Sequence, residues 1–149
     1  MGKRNRNKDR QIKNKMIRDL IKWLEADSQL QTLLQGNAGN KKIFPIQAPP
    51  GDTTPYILYF VSSEGSNDSV LEESMITLTA YSEIYDNAVS IAYRLSELLD
   101  VWEDINITSD RFYIYYSRKV GGVDTFENDT RLYSHSCIFH IKYKRKNGG

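Results

Sequence analysis

The chain has 149 residues, 26% charged and 11% aromatic, with a formal net charge of +1. That length holds one domain with a real core, and the composition excludes a disordered chain. A single cysteine, Cys137, excludes an internal disulfide framework, and no apolar run is long enough for a transmembrane helix.

The small net charge hides an asymmetry. Residues 1–22 hold nine Lys or Arg against two Asp, a net of +7, and the remainder holds 11 basic against 17 acidic residues, a net of −6. A basic arm on an acidic body suits contact with nucleic acid, an anionic surface or an acidic partner. The N-terminal region is basic without an apolar secretory segment behind it, so a cytoplasmic site of synthesis and assembly, with no membrane partner, is the expectation.

In chain order, residues 1–8 are expected to be a disordered basic arm. Apolar Ile12, Met16, Leu20, Trp23 and Leu24 recur at three- and four-residue steps, with Ile17 and Ile21 beside them, which predicts a helix over about Asp9–Gln35. Asp27-Ser28 can restart it as a short turn carrying Leu30, Leu33 and Leu34. The Gly36–Asn40 run ends it, because Gly and Asn tolerate the left-handed cap.

Lys41–Ile46 reads as a short strand. A turn shaped by Pro49, Pro50, Gly51 and Asp52 follows, then Pro55 and a strand over Tyr56–Ser62 that is apolar on both faces. After a polar loop comes a strand over about Glu73–Tyr81, with Ile76, Leu78 and Ala80 on one face. Ile84, Ala88, Ile91, Leu95 and Leu98 define a second helix over about Ile84–Asp100, and Asp86 suits its N-terminal dipole. Strands over Arg111–Lys119 and Arg131–Lys144 complete the pattern, joined by a Gly- and Asp-rich loop, Val120–Thr130.

The resulting order is α-β-β-β-α-β-β. It predicts an α+β fold in which an antiparallel sheet of four to five strands packs with two helices. One domain over residues 9–144 and a disordered tail over 145–149 are expected.

Motifs for chemistry are weak. His135 and Cys137 share a strand face, as a nucleophile pair or half a metal site would, but a second cysteine and a carboxylate on that strand are missing, and His140 faces the other way. A buried cysteine beside a packed histidine is the expected outcome. Glu72-Glu73 and Glu103-Asp104 are neighbours that point apart on a strand, so they set up no paired-carboxylate site. Gly121-Gly122 lacks the Lys-Ser/Thr of a phosphate loop. No catalytic, cofactor-binding or metal-binding residue is assigned, and no cofactor is expected.

The segment Lys42-Ile43-Phe44-Pro45, Ala48-Pro49-Pro50-Gly51 and Pro55-Tyr56-Ile57-Leu58-Tyr59 resembles the tail completion, or tail terminator, proteins of long-tailed bacteriophages. The strand Ile76–Tyr81 and the helix with Ala88, Ala92 and Leu95 extend the resemblance over about residues 16–144, the last third by element order only. Phe44, Pro49, Gly51, Pro55 and Tyr56 carry the family-like turn and strand.

The resemblance implies a virion structural protein rather than an enzyme. It would form a ring, commonly of six copies, on the head-proximal end of the tail tube. The ring stops tube polymerisation, meets the head connector or a head-completion protein, and lets genomic DNA pass. Tyr113, Tyr115 and Tyr116 are the candidate subunit contact. Two polar loops are the candidate docking elements, Ser62–Leu71 with Glu64, Asn67 and Asp68, and Val120–Thr130 with Asp124, Glu127 and Asp129. A nucleic-acid-binding adaptor using the basic arm is the alternative, and a hydrolase using His135 and Cys137 is the third class weighed.

Overall fold

A computed structural model describes residues 6–63 and 72–146. Its elements are α1 (Arg6–Glu25), α2 (Ser28–Leu34), β1 (Ile43–Pro45), β2 (Tyr56–Ser63), β3 (Glu72–Ser82), α3 (Tyr85–Leu99), β4 (Phe112–Glu127) and β5 (Leu132–Arg145). The strands form one sheet in the order β1-β2-β3-β5-β4. The α+β class stands. The sheet is mixed, however, because β1 runs parallel to β2 while all other neighbours are antiparallel.

The long N-terminal helix is two helices. Asp27 interrupts it with extended backbone, and its carboxylate accepts from Leu30 N at 2.8 Å as the cap of α2. Arg94 of α3 grips the same carboxylate through Nε at 3.0 Å and a terminal nitrogen at 2.7 Å, which fixes α2 against α3. The left-handed cap residue is Gln35, not a glycine. Gly36 follows it, and the Gln31 side-chain amide lies over its Cα, where a Cβ would displace it. At the front, α1 already begins at Arg6 rather than Asp9. Residues 1–5 of the expected arm, and 147–149 of the expected tail, lie outside the described residues, while Arg145 closes β5.

All three helices cover one face of the sheet. Met16, Leu20, Leu24, Leu30, Leu34, Ile91, Leu95 and Leu99 pack on Ile57, Ile76, Leu78, Ala80, Cys137, Phe139 and Ile141, all buried. The strand register assigns those sheet residues to a single face: Ile76 pairs with Phe139, Leu78 with Cys137, and Ala80 with both Ile57 and His135. Of the expected α3 stripe, Ile84 falls out, as it precedes the helix and is exposed. No helix among the described residues is long and apolar enough to cross a membrane.

The other face stays open among the described elements. It carries Phe44, Tyr56, Leu58, Phe60, Met75, Thr77, Thr79 and Tyr81 on β1–β3, and Ser134, Ser136, Ile138, His140 and Lys142 on β5. Aromatic contacts tie its β1–β3 end together, Phe44 edge-on to Tyr56 at 6.3 Å and Tyr56 against Tyr81 at 5.5 Å.

Candidate functional site

The family-like segment is a short crossover between two parallel strands. Pro49 O accepts from Asp52 N at 3.1 Å, with Pro50 and Gly51 in the central positions and Gly51 at φ 84°, the geometry of a type II turn. Asp52 then reaches back to the start of β1. Its carboxylate takes Lys42 Nζ at 2.7 Å and Asn40 Nδ2 at 2.9 Å, and the same ammonium donates to the Thr53 carbonyl.

Lys42 is buried and sits at φ 66°, with its amide bonded to Asn40 Oδ1 at 3.0 Å and its carbonyl to Ile57 N at 2.9 Å. The hydrogen bond from Lys42 holds the Asp52 carboxyl below the usual carboxylate range. This polar clasp, rather than a hairpin, is what positions β1 beside β2. Phe44 and Tyr56 turn to the open face, Pro55 is buried, and Pro49 and Gly51 lie exposed at the turn.

The expected loop Val120–Thr130 is strand. β4 runs to Glu127, so Asp124 and Glu127 are ladder residues paired with His135 and Leu132. Asp129 alone sits in a turn, closed by Arg131 N to Glu127 O at 2.8 Å with Arg131 at φ 59°. Two bulges, at Tyr115 and Val120, let the strand continue through its glycines. Gly122 opposes Cys137, and a Cβ there would lie 2.5 Å from the Ser136 carbonyl oxygen. The glycine pair that reads as a loop signal is a close approach of two strands. Glu64, Asn67 and Asp68, the other expected docking residues, lie outside the described residues.

The three tyrosines separate. Tyr115 is the extra residue of a bulge and is 45% exposed. Tyr113 and Tyr116 share the open sheet face, where Tyr113 is 55% exposed and Tyr116 meets His140 edge-on at 5.8 Å. Further along this edge strand the bulge residue Val120, Val123 on the open face opposite Ser136, and Phe126 on the helix-covered face opposite Tyr133 are exposed, and the Tyr85 hydroxyl lies 3.1 Å from Asp124. The β4 edge is partly shielded: Val101 bridges Ser117 in both directions, and Asp100 accepts from Lys119 N at 3.0 Å.

His135 and Cys137 do share the helix-covered face, as the alternation predicts. The carboxylate missing from their own strand arrives from the next one: Asp124 abuts His135 Nδ1, and Glu73 lies 3.5 Å from His140 Nε2. Cross-strand register supplies this contact and local pattern does not report it, since the expected strand Arg111–Lys119 stops short of Asp124. Cys137 is fully buried, its thiol 3.8 Å from the Ala92 carbonyl, and burial pushes its pKa up. A protonated, enclosed thiol opposite a glycine is a packing residue, not a nucleophile. Among the described residues no group of three His, Cys, Asp or Glu is placed to hold a metal ion.

No family model and no curated protein matches the chain by sequence. Its fold matches a chain in the solved structure of the virion of a native gene transfer agent (GTA) particle, with a TM-score of 0.64. The match covers 85% of this chain and 92% of that one, at 12% identity, so the likeness is one of fold.

Proposed function

We propose that this protein is a virion structural protein that forms a ring, of six copies, capping the head-proximal end of a tail tube. The ring would end tube growth and join the tail to the head connector or a head-completion protein, with DNA passing through it. The observation that carries this reading is the fold shared with a virion chain across nearly that chain's whole length. The tail-terminator-like text of residues 42–59 supports it.

The physics is binding without chemistry. A tube grows by presenting a surface that the next ring complements, and a cap that offers only one of the two surfaces stops growth. A closed ring of this kind needs a heterologous contact. Its two halves are proposed as the outer β4 edge and the outer side of α1. The edge offers Tyr115, Val120, Val123 and Phe126 with Asp124, Glu127 and Asp129. The α1 side offers exposed Lys15, Arg18 and Lys22, so the charges are complementary. The polar segment with Glu64, Asn67 and Asp68 is kept for docking to tube or connector. Tyr113 and Tyr116 border the contact rather than forming it.

The test is polymerisation of the cognate tube protein with and without this protein. Tubes that shorten as the ratio of this protein rises, each with one extra ring at one end, are the expected result. Tubes of unchanged length without a bound ring would overturn the reading.

A further inference from the structure

The open face of the sheet carries a row of cations along β4 and β5. On the open face, cross-strand pairing sets Tyr113 against Lys144, Tyr116 against Lys142 and Arg118 against His140. Arg118 lies between two rings, 5.4 Å from the Trp102 centroid and 5.6 Å from that of Tyr116. Its Nε is buried without a hydrogen-bond partner, and among the described residues no carboxylate pairs with it. Lys146 sits 5.0 Å over Tyr113 and donates to the Ser109 carbonyl at 2.8 Å, which leaves its charge unneutralised.

The acids that register puts on this face are Glu73, 3.6 Å from Lys142, and Glu127 at the far end beside the turn. Glu103 and Asp104 follow Trp102 in an exposed loop at the rim. The residues beside the strip are hydroxyl or apolar, among them Val123, Thr125, Ser134, Ser136 and Ile138. A cationic strip thus lies on a chain whose residues 23–149 carry a net negative charge.

We propose that this strip, built on Arg118, Lys142, Lys144 and Lys146, binds duplex DNA through its phosphates without reading sequence. Charge complementarity with a polyanion selects the occupant. Trp102, Tyr116 and Tyr113 each hold a cation against one ring face, which fixes Arg118 and Lys146 in a row that suits the regularly spaced phosphates of a duplex. The strip is separate from the basic arm, and the inference goes beyond the capping role and does not depend on it.

The test is fluorescence anisotropy of a labelled mixed-sequence duplex titrated with the full-length chain over a range of salt concentrations. Binding should weaken with salt at a log–log slope of about −3, for three to four phosphate contacts. Arg118→Ser with Lys144→Ser should lower the low-salt affinity at least about tenfold and make the slope shallower by about 2. Neutralising the arm (Lys3→Ser, Arg4→Ser, Lys8→Ser) should leave a strip-dependent component. Loss of all binding in the arm variant, with none lost in the strip variant, would overturn the proposal.

Trp102 gives a second readout that needs no strip variant. In a Trp23→Phe chain it is the remaining tryptophan, and its fluorescence should change on adding duplex. An unchanged signal at saturating duplex would overturn the assignment. So would tighter binding of a single strand of equal length, or of polyglutamate, which would assign the strip to bases or to an acidic protein partner. Tube-capping activity is read separately, so loss of either result leaves the other interpretable.

Discussion

Lys42 shows how much one residue carries in this fold. A buried ammonium and a left-handed backbone are each unfavourable, the backbone by about 1–3 kcal/mol. The site persists because Asp52, the Thr53 carbonyl and Asn40 satisfy the charge and the amide together. Removing the carboxylate leaves the buried ammonium without its counter-charge. Asp52→Asn should therefore cost about 3 kcal/mol at pH 7, measured by urea unfolding.

The sign of the pH dependence follows from the depressed Asp52 pKa. A carboxyl whose folded-state pKa lies below its unfolded value adds stability that is fully present above about pH 4. That stability is lost as pH falls through the folded value. The gap between wild type and Asp52→Asn should accordingly narrow below pH 4. A gap that stayed constant down to pH 2 would show that the cost comes from something other than the charge pair.

At the scale of elements, the β4–β5 hairpin separates what the sequence made legible from what it did not. The strict alternation of Cys137, Phe139, Ile141 and Tyr143 gave β5 its face, and all four are buried. Similarly, the three- and four-residue steps of Met16, Leu20 and Leu24 gave α1 its buried stripe. The full length of β4 is hidden because its bulges at Tyr115 and Val120 break the alternation, and because Gly121-Gly122 resembles a turn. The parallel β1–β2 pairing was illegible for a different reason. A turn signal between two strands implies reversal, whereas the clasp of Lys42 and Asn40 on Asp52 returns the chain to the start of β1.

The candidate sites fared similarly. The shared face of His135 and Cys137 followed from alternation, but Asp124 reaches His135 only through pairing that no local pattern reports.

The close approach at Gly122 has a direct consequence. An added methyl there meets the Ser136 carbonyl oxygen at 2.5 Å, which belongs to backbone and cannot swing away, whereas at Gly121 it meets Ile138 Cδ1 at an ordinary 3.6 Å. Gly122→Ala should lower stability by about 1–3 kcal/mol, and Gly121→Ala should stay within about 0.5 kcal/mol of wild type. Paired thermal melts check this, since both changes alter strand backbone entropy alike. Equal melting temperatures for the two variants would contradict the strand pairing at Cys137.

For the whole molecule, the layered arrangement decides which surfaces the proposed assembly could use. Helices seal one sheet face, while the other face, the outer hairpin edge and the cationic side of α1 remain available. Each surface has its own chemistry: apolar and acidic along the hairpin edge, cationic on α1, cationic and aromatic on the open sheet. The proposed ring would need two different sides of this kind, since a heterologous contact closes into a ring only when each copy offers both halves.

The capping role is tested most directly by electron microscopy of particles made after deleting this gene from its parent genome. The account requires headless tails of uncontrolled length beside filled, tailless heads. Finished virions with tails of normal length would contradict it, and normal-length tails left unattached to heads would contradict the length-ending role while keeping the joining one.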